Sequence, residues 1–258
     1  CPRRPPGGRP MIVILGGTAE SRALAAALTA QDVAVLSTLA GRVSRPRLPA
    51  GEVRIGGFGG VDGLVDYLTS RRVRAVVDAT HPFAAGISAN AVAASSRTGI
   101  PLLRLARPGW SSRPGADGWL WVDSHREAAL AAAGFHRPLL TIGRQSLGEF
   151  TGPLAGLPVA ARVVDEPDIA LPNRWLLLRD RGPYEAAGEA ALLARLNSDV
   201  LVTKDSGGTY TWPKMDAAMA RGTTIVIVRR PAVAAGCATA SDVDGTLEWL
   251  AAQGVYAS

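Results

Sequence analysis

Residues 11–28, MIVILGGTAESRALAAAL, constrain this chain most: an apolar run breaks at Gly16-Gly17 and resumes with helical spacing at Leu24, Ala25 and Leu28. The pattern reads as strand, glycine turn, helix. An apolar run without alternation is what a strand buried on both faces of a parallel sheet requires. Thr18 stands at the N-cap position, and the unpaired N–H groups of the helix it opens favour an anion. A nucleotide phosphate over Gly16, Gly17 and Thr18 is one reading and a bare tight turn the other, because the two glycines are adjacent and Ser21 holds the last glycine position of G-x-G-x-x-G.

The same unit recurs down the chain. Strands are expected at residues 33–38, 53–55, 73–78 and 101–105, with helices between them, one capped by Asp62 and one over residues 85–98. Such alternation implies a parallel sheet with right-handed crossovers, in which ligands bind beyond the carboxyl ends of the strands. Those ends carry the glycine turn, then Ser37 and Thr38 with Gly41 and Arg42, then the GGFGG loop with Gly57, Phe58 and Gly59, then Thr80 and His81 of ATHPFA. An NAD site would place an acid after the second strand. Hydroxyls and a guanidinium there suit a 2'-phosphate instead, so NADP is the dinucleotide expected. Arg45 and Arg47 read as a solvated basic loop, and His81 as either a proton donor or a loop residue set against a ligand.

Residues 104–118, RLARPGWSSRPGADG, have the composition of a domain boundary. Beyond them Ser124 and Glu127 form a capping-box pattern. Strands at 137–142, 159–164, 175–178, 199–203 and 223–228 alternate with helices opened by Pro183, around 214–221, and at 242–253. Their ends carry Arg144, Arg179 and the run Lys204-Asp205-Ser206-Gly207-Gly208. Backbone N–H groups with Lys204 and the Ser206 hydroxyl suit a phosphate or carboxylate, against a plain glycine turn. Tyr210 and Lys214 have the Y-x-x-x-K spacing of short-chain dehydrogenases, but Pro213 interrupts the helical turn that pair needs.

The 258 residues suit two ordinary domains, expected as an NADP-binding Rossmann-like domain at 11–105, a linker at 106–118 and a second α/β domain contributing to substrate binding at 119–258. Residues 1–10 read as a disordered extension upstream of a Met11 start. A net charge of +6 could signal nucleic acid, but the arginines are scattered, and a polyanionic small substrate or a phosphorylated cofactor explains the excess equally well; no nucleic-acid partner is expected. Cys1 and Cys237 make no disulfide framework, so a reducing cytoplasm is expected. His81, His125 and His136 are too scattered for a metal cluster, and no run reaches the length of a membrane span.

GGTAES, STLAGR, GGFGG, DATHPFA, RLARPGW and VTKDSGG occur in this order, and together they resemble the precorrin-6A reductase family of cobalamin biosynthesis over essentially the whole chain from Met11. The resemblance implies two Rossmann-like domains, each a mainly parallel sheet flanked by helices, with the active site in the cleft between them. It implies NADPH-dependent reduction of one carbon–carbon double bond of precorrin-6A to give precorrin-6B. The candidate cofactor residues are then Gly16, Gly17, Thr18, Glu20, Ser37, Thr38, Gly41, Arg42, Gly57, Phe58, Gly59 and Thr80. The acetate and propionate groups of a precorrin call for cations, and His81, Arg104, Arg107, Arg144, Arg179, Lys204, Ser206 and Gly207 are the candidate substrate residues. His81, Lys204 and Asp205, or a water, are the candidate proton donors, with no metal site expected. A monomer or small homo-oligomer is expected, with a polycarboxylate macrocycle as the small-molecule partner. The alternatives are an NADP(H)-binding sensor or scaffold without catalysis, and a reductase of another small unsaturated substrate.

Overall fold

The computed structural model describes residues 11–41, 47–233 and 236–255. The amino-terminal extension and the basic residues Arg42 and Arg45 lie outside them. In chain order the first elements are β1 (Met11–Leu15), α1 (Ala19–Ala30), β2 (Ala34–Leu39), β3 (Glu52–Ile55), α2 (Val61–Ser70), β4 (Val73–Asp78), α3 (Ala85–Thr98) and β5 (Leu102–Leu105). Then come β6 (Leu120–Val122), α4 (His125–Ala132), β7 (Pro138–Leu140), α5 (Gly148–Thr151), β8 (Ala160–Val163) and β9 (Leu176–Arg179). The chain ends with α6 (Ala186–Leu196), β10 (Val200–Lys204), α7 (Pro213–Arg221), β11 (Thr224–Val228), β12 (Ala238–Ala240) and α8 (Val243–Ala252). These make two compact α/β units, Pro108–Arg230 forming the second and the flanking segments the first.

The first unit is a six-stranded sheet in the order β12-β5-β4-β1-β2-β3, all neighbours parallel. Ile12, Ile14, Val35, Ala75, Val77 and Leu103 pack on one face beneath Leu24, Ala25 and Leu28 of α1 and Leu250 of α8. Val13, Leu15, Leu36 and Val76 pack on the other beneath Leu64 and Leu68 of α2 and Ala91 and Ala94 of α3. Both faces are therefore covered, which is why the strands are apolar throughout rather than alternating. Each fully buried leucine contributes about 1.5–3 kcal/mol.

The carboxyl-terminal segment departs from the expected boundary. The helix expected in the second domain is α8, and it packs with Leu250 and Val255 into the core of the first unit, while β12 pairs with β5. The physical reason is that β5 would otherwise present an open sheet edge. Asp62 also differs from its expected role: Gly60 is the N-cap of α2, and Asp62 lies in the first turn, pairing with Arg97 at 2.6 Å.

The second unit is a six-stranded sheet in the order β6-β11-β10-β7-β8-β9, again all parallel. Trp110, expected in a linker, is fully buried in its core with Trp119, Leu139, Leu201, Met215 and Ile227. Residues 108–118 are thus part of the packed unit, anchored because an indole this size is costly to leave in water. The Ser124 hydroxyl caps α4 by accepting from the Glu127 N–H at 3.1 Å, and the Glu127 carboxylate reaches back one residue further than a capping box, to the Asp123 N–H at 3.1 Å. Pro183 lies short of α6, whose N-cap is Glu185. Pro213 occupies the first turn of α7 and Tyr210 precedes that helix, so Tyr210 and Lys214 do not share a helical turn.

Candidate functional site

The parallel sheet of the first unit brings the ends of β3, β2, β1 and β4 side by side, and hydrogen bonds stitch their loops together. Gly16 donates to the Thr38 carbonyl at 2.9 Å, Gly56 to the Leu39 carbonyl at 2.8 Å and Ala79 to the Leu15 carbonyl at 2.9 Å. The Thr18 hydroxyl donates to the Ala79 carbonyl at 2.8 Å. The glycine turn, Thr38, the GGFGG loop and ATHPFA are consequently one continuous rim.

At the glycine turn Thr18 caps α1, accepting from the Ser21 N–H at 3.1 Å. The Ser21 hydroxyl takes up the N–H groups of Gly17 and Thr18, each at 3.1 Å. The N–H groups of Gly16, Gly17 and Thr18 are therefore engaged within the protein. The helical N–H groups left without an intrahelical acceptor or a cap are those of Ala19 and Glu20, the first two positions of α1. Gly17 has φ +116 and open space where a side chain would stand, so a phosphate can approach the backbone there. Serine at the last glycine position thus rebuilds the turn while leaving the helix end able to take an anion. The residues present fit the phosphates of a dinucleotide.

Several expected contacts are used otherwise. Ser37 is 1% exposed, its side chain turned into the core, and it cannot touch a cofactor. Glu20 pairs with Arg107 at 2.5 Å, which neutralises an acid beside the phosphate position and removes Arg107 as an isolated cation. Arg104 is buried, paired with Asp78 at 2.5 Å and bonded to the Thr80 hydroxyl at 2.9 Å, the Ser88 hydroxyl at 3.1 Å and the Thr80 carbonyl at 3.2 Å. The Thr80 hydroxyl in turn donates to Asp78 at 2.7 Å. Arg104 and Thr80 therefore hold the ATHPFA segment and offer little to a ligand. His81 is half-buried; its Nδ1 accepts from the Phe83 N–H at 3.3 Å, which leaves the hydrogen on Nε2. Thr38 is buried but lends its carbonyl to the rim, Gly41 takes a positive φ, Phe58 packs on Tyr67, and Gly57 and Gly59 have open space at their side-chain positions.

In the second unit the ends of β10, β7 and β9 carry Lys204, Arg144 and Arg179 along one sheet edge. Arg144 donates to the Glu166 carbonyl at 2.9 Å, and Arg179 lies 3.7 Å from the Glu166 carboxylate and is largely exposed. Burial pushes the Lys204 ammonium down to about 8. Asp205, expected as a proton donor, is buried and accepts from the Trp110 N–H at 3.0 Å and from Arg230 at 3.1 and 3.2 Å. It is committed to structure. Gly207 is required by packing, since a side chain there would run into the Pro108 carbonyl and the Arg230 guanidinium. The Ser206 hydroxyl is directed at the Lys204 carbonyl at 3.4 Å.

Two residues near this edge were not among the expected site residues, although Lys214 belongs to the rejected Y-x-x-x-K pattern. His125 opens α4 beyond β6, and burial, followed by the neighbouring Lys204 charge, lowers its pKa against an opposing effect from Glu149. Lys214 is buried in α7, and burial, with Arg162 and Lys204 adding to it, pushes its pKa down to about 7. Helical spacing alone could have found Lys214, which falls on the inward face of its helix with Met215 and Ala218.

The family profile described as Precorrin-6x reductase CbiJ/CobK matches residues 11–251. The chain is 49% identical over 240 residues to the precorrin-6A reductase of Rhodococcus erythropolis, covering 93% of this chain and 96% of that protein. It is 46% identical to the precorrin-6A reductase of Mycobacterium tuberculosis, covering 93% and 97%. The cobalt-precorrin-6A reductase of Priestia megaterium is 30% identical over 88% of this chain and 92% of that one. A solved structure of CobK precorrin-6A reductase superposes with a TM-score of 0.88 at 38% identity, covering 95% of this chain and 97% of the other. With the stitched rim of the first sheet and two doubly wound parallel sheets, these matches place the chain in the precorrin-6x reductase family.

Proposed function

We propose that this protein is an NADPH-dependent precorrin-6A reductase, reducing one carbon–carbon double bond of the macrocycle to give precorrin-6B. The observation that carries this reading is the rim of the first sheet. Open backbone at Gly17 is tied to the loops of β2 and β4 by the Gly16–Thr38 and Thr18–Ala79 bonds. A dinucleotide held by this rim through its phosphates would supply a hydride from its dihydronicotinamide.

The chain's own residues then have three tasks. Ala19 and Glu20 N–H groups hold the pyrophosphate, with Glu20 kept from opposing it by Arg107. Lys204, Arg144 and Arg179 take substrate carboxylates on the second unit. The second hydrogen arrives as a proton on the carbon next to the one receiving hydride, and Lys204 is the donor favoured, since an ammonium lowered to about 8 is still protonated near neutral pH and gives up its proton readily. His81, with hydrogen on Nε2, is the alternative donor.

Identities of 49% and 46% to reductases of precorrin-6A, against 30% to a cobalt-precorrin-6A reductase, favour the cobalt-free macrocycle as substrate. A cytoplasmic location goes with this reading; among the described residues no helix is long and apolar enough to cross a membrane. The test is an absorbance assay with purified protein. Precorrin-6A with NADPH changes spectrum and NADPH is consumed in equal amount, whereas binding of NADPH with no change in either spectrum makes the protein a sensor or scaffold.

A further inference from the structure

We propose that Arg54 fixes the choice between the phosphorylated and unphosphorylated dinucleotide by holding the 2'-phosphate of the adenosine ribose. The proposal rests on the dinucleotide reading of the first sheet. In a sheet of this strand order the adenosine ribose meets the carboxyl end of β2, where Thr38 lies. Arg54 is the β3 residue in register with Thr38, one strand further out, and side chains in register on parallel neighbours project to the same face.

The guanidinium there is held in place without a counter-charge. It lies 5.0 Å from the Phe58 ring centre and 5.1 Å from that of Tyr67, and the two rings meet edge to face at 5.2 Å. Nη2 donates to the Gly57 carbonyl at 3.0 Å, and Nε is buried with no acceptor. Of the acids on β3 and α2, Glu52 pairs with Arg71 at 3.4 Å and Asp62 with Arg97 at 2.6 Å. Among the described residues no carboxylate pairs with Arg54. Two aromatic faces orient a cation but do not neutralise it, each contributing about 0.5–1 kcal/mol when exposed.

The loop beside it is open. A side chain at Gly57, Gly59 or Gly60 would meet nothing within 4 Å, and Gly57 does not have the positive φ that would demand glycine. Among the described residues nothing requires a bare backbone at Gly57, and that open backbone leaves room for a ligand lying against the loop. A planar donor fork, fixed by two rings next to bare backbone, suits a phosphate dianion.

The test measures dissociation constants for NADPH and NADH by nicotinamide fluorescence, and for adenosine 2'-monophosphate against adenosine 5'-monophosphate by calorimetry. Wild-type protein is compared with Arg54→Ala, Arg54→Gln and Arg42→Ala, each checked for an unchanged melting temperature. The glutamine variant keeps the bulk over Phe58 and Tyr67 if alanine loosens the loop. Wild type should prefer NADPH, and both Arg54 variants should weaken NADPH and the 2'-nucleotide about 10- to 100-fold, the range of charge-assisted hydrogen bonds, with NADH nearly unchanged. Equal losses for NADPH and NADH, or a preference that survives at Arg54 and collapses with Arg42→Ala, overturns the assignment while leaving the NADPH reading intact. A wild-type protein that binds both dinucleotides equally overturns both.

Discussion

The Asp205 carboxylate accepts from Nε and Nη2 of Arg230 at 3.1 and 3.2 Å, and one of its oxygens also accepts from the Trp110 N–H at 3.0 Å. One buried acid thus ties the first and last residues of the second unit to the loop after β10. A side chain on Gly109 or Gly207 would strike this clasp. Asp205→Ala should destabilise the protein by about 2–4 kcal/mol, because it strands a guanidinium and an N–H in a largely dry site. Arg230→Ala should cost a similar amount, and the double variant less than the sum. Urea unfolding of the set decides it; simple additivity would mean the two residues do not act together.

Arg104 and Asp78 form the matching buried pair of the first unit. Arg104→Met leaves a carboxylate with one fewer partner in the core and should cost about 3–5 kcal/mol, part of which returns when Asp78→Asn is added. A substrate-binding arginine would behave differently, raising KM with stability intact. Thermal melts alongside KM values separate the two.

Lys214 carries a linkage prediction. Burial holds its folded pKa near 7 against 10.5 in the unfolded chain, so between those pH values the unfolded state binds more protons and stability rises with pH. Lys214→Met should therefore stabilise the protein at pH 6, and its advantage should shrink steadily toward pH 10. A gap between the two urea midpoints that does not change with pH would show that Lys214 does not titrate in this range.

Lys204 governs the pH dependence of turnover if it is the proton donor. At saturating substrate, kcat should hold below pH 7 and fall as pH passes about 8, where the ammonium loses its proton. Lys204→Met should lower kcat by about 100-fold or more and abolish that limb. Retention of the limb in the variant would pass the role to another group, with His81 next to be tested.

The sequence made some of this legible and hid the rest for physical reasons. β1, β4, β10 and β11 stand out because strands covered on both faces must be apolar throughout, and the ligand-facing loops follow from their carboxyl ends. The return of β12 and α8 to the first unit was hidden, since Ala238–Ala240 is a three-residue strand whose place is set by the open edge of β5. Pairings such as Arg104 with Asp78 and Asp205 with Arg230 were hidden too. Each arginine and acid reads as a surface charge until folding brings together residues far apart in the chain. That is why Arg104 and Asp205, which suggested chemistry, are tied into buried ion pairs, whereas the strand ends that carry Gly17 and Lys204 could be read directly from the apolar runs before them.

The most direct measurement follows the two hydrogens. NADPH deuterated at the transferable C4 position, incubated with precorrin-6A and the protein in ordinary water, should yield a product carrying one deuterium, and ordinary NADPH in heavy water should place one deuterium on the adjacent carbon. Products without deuterium from the labelled cofactor, or both hydrogens from solvent, would contradict hydride transfer from NADPH followed by protonation from the protein.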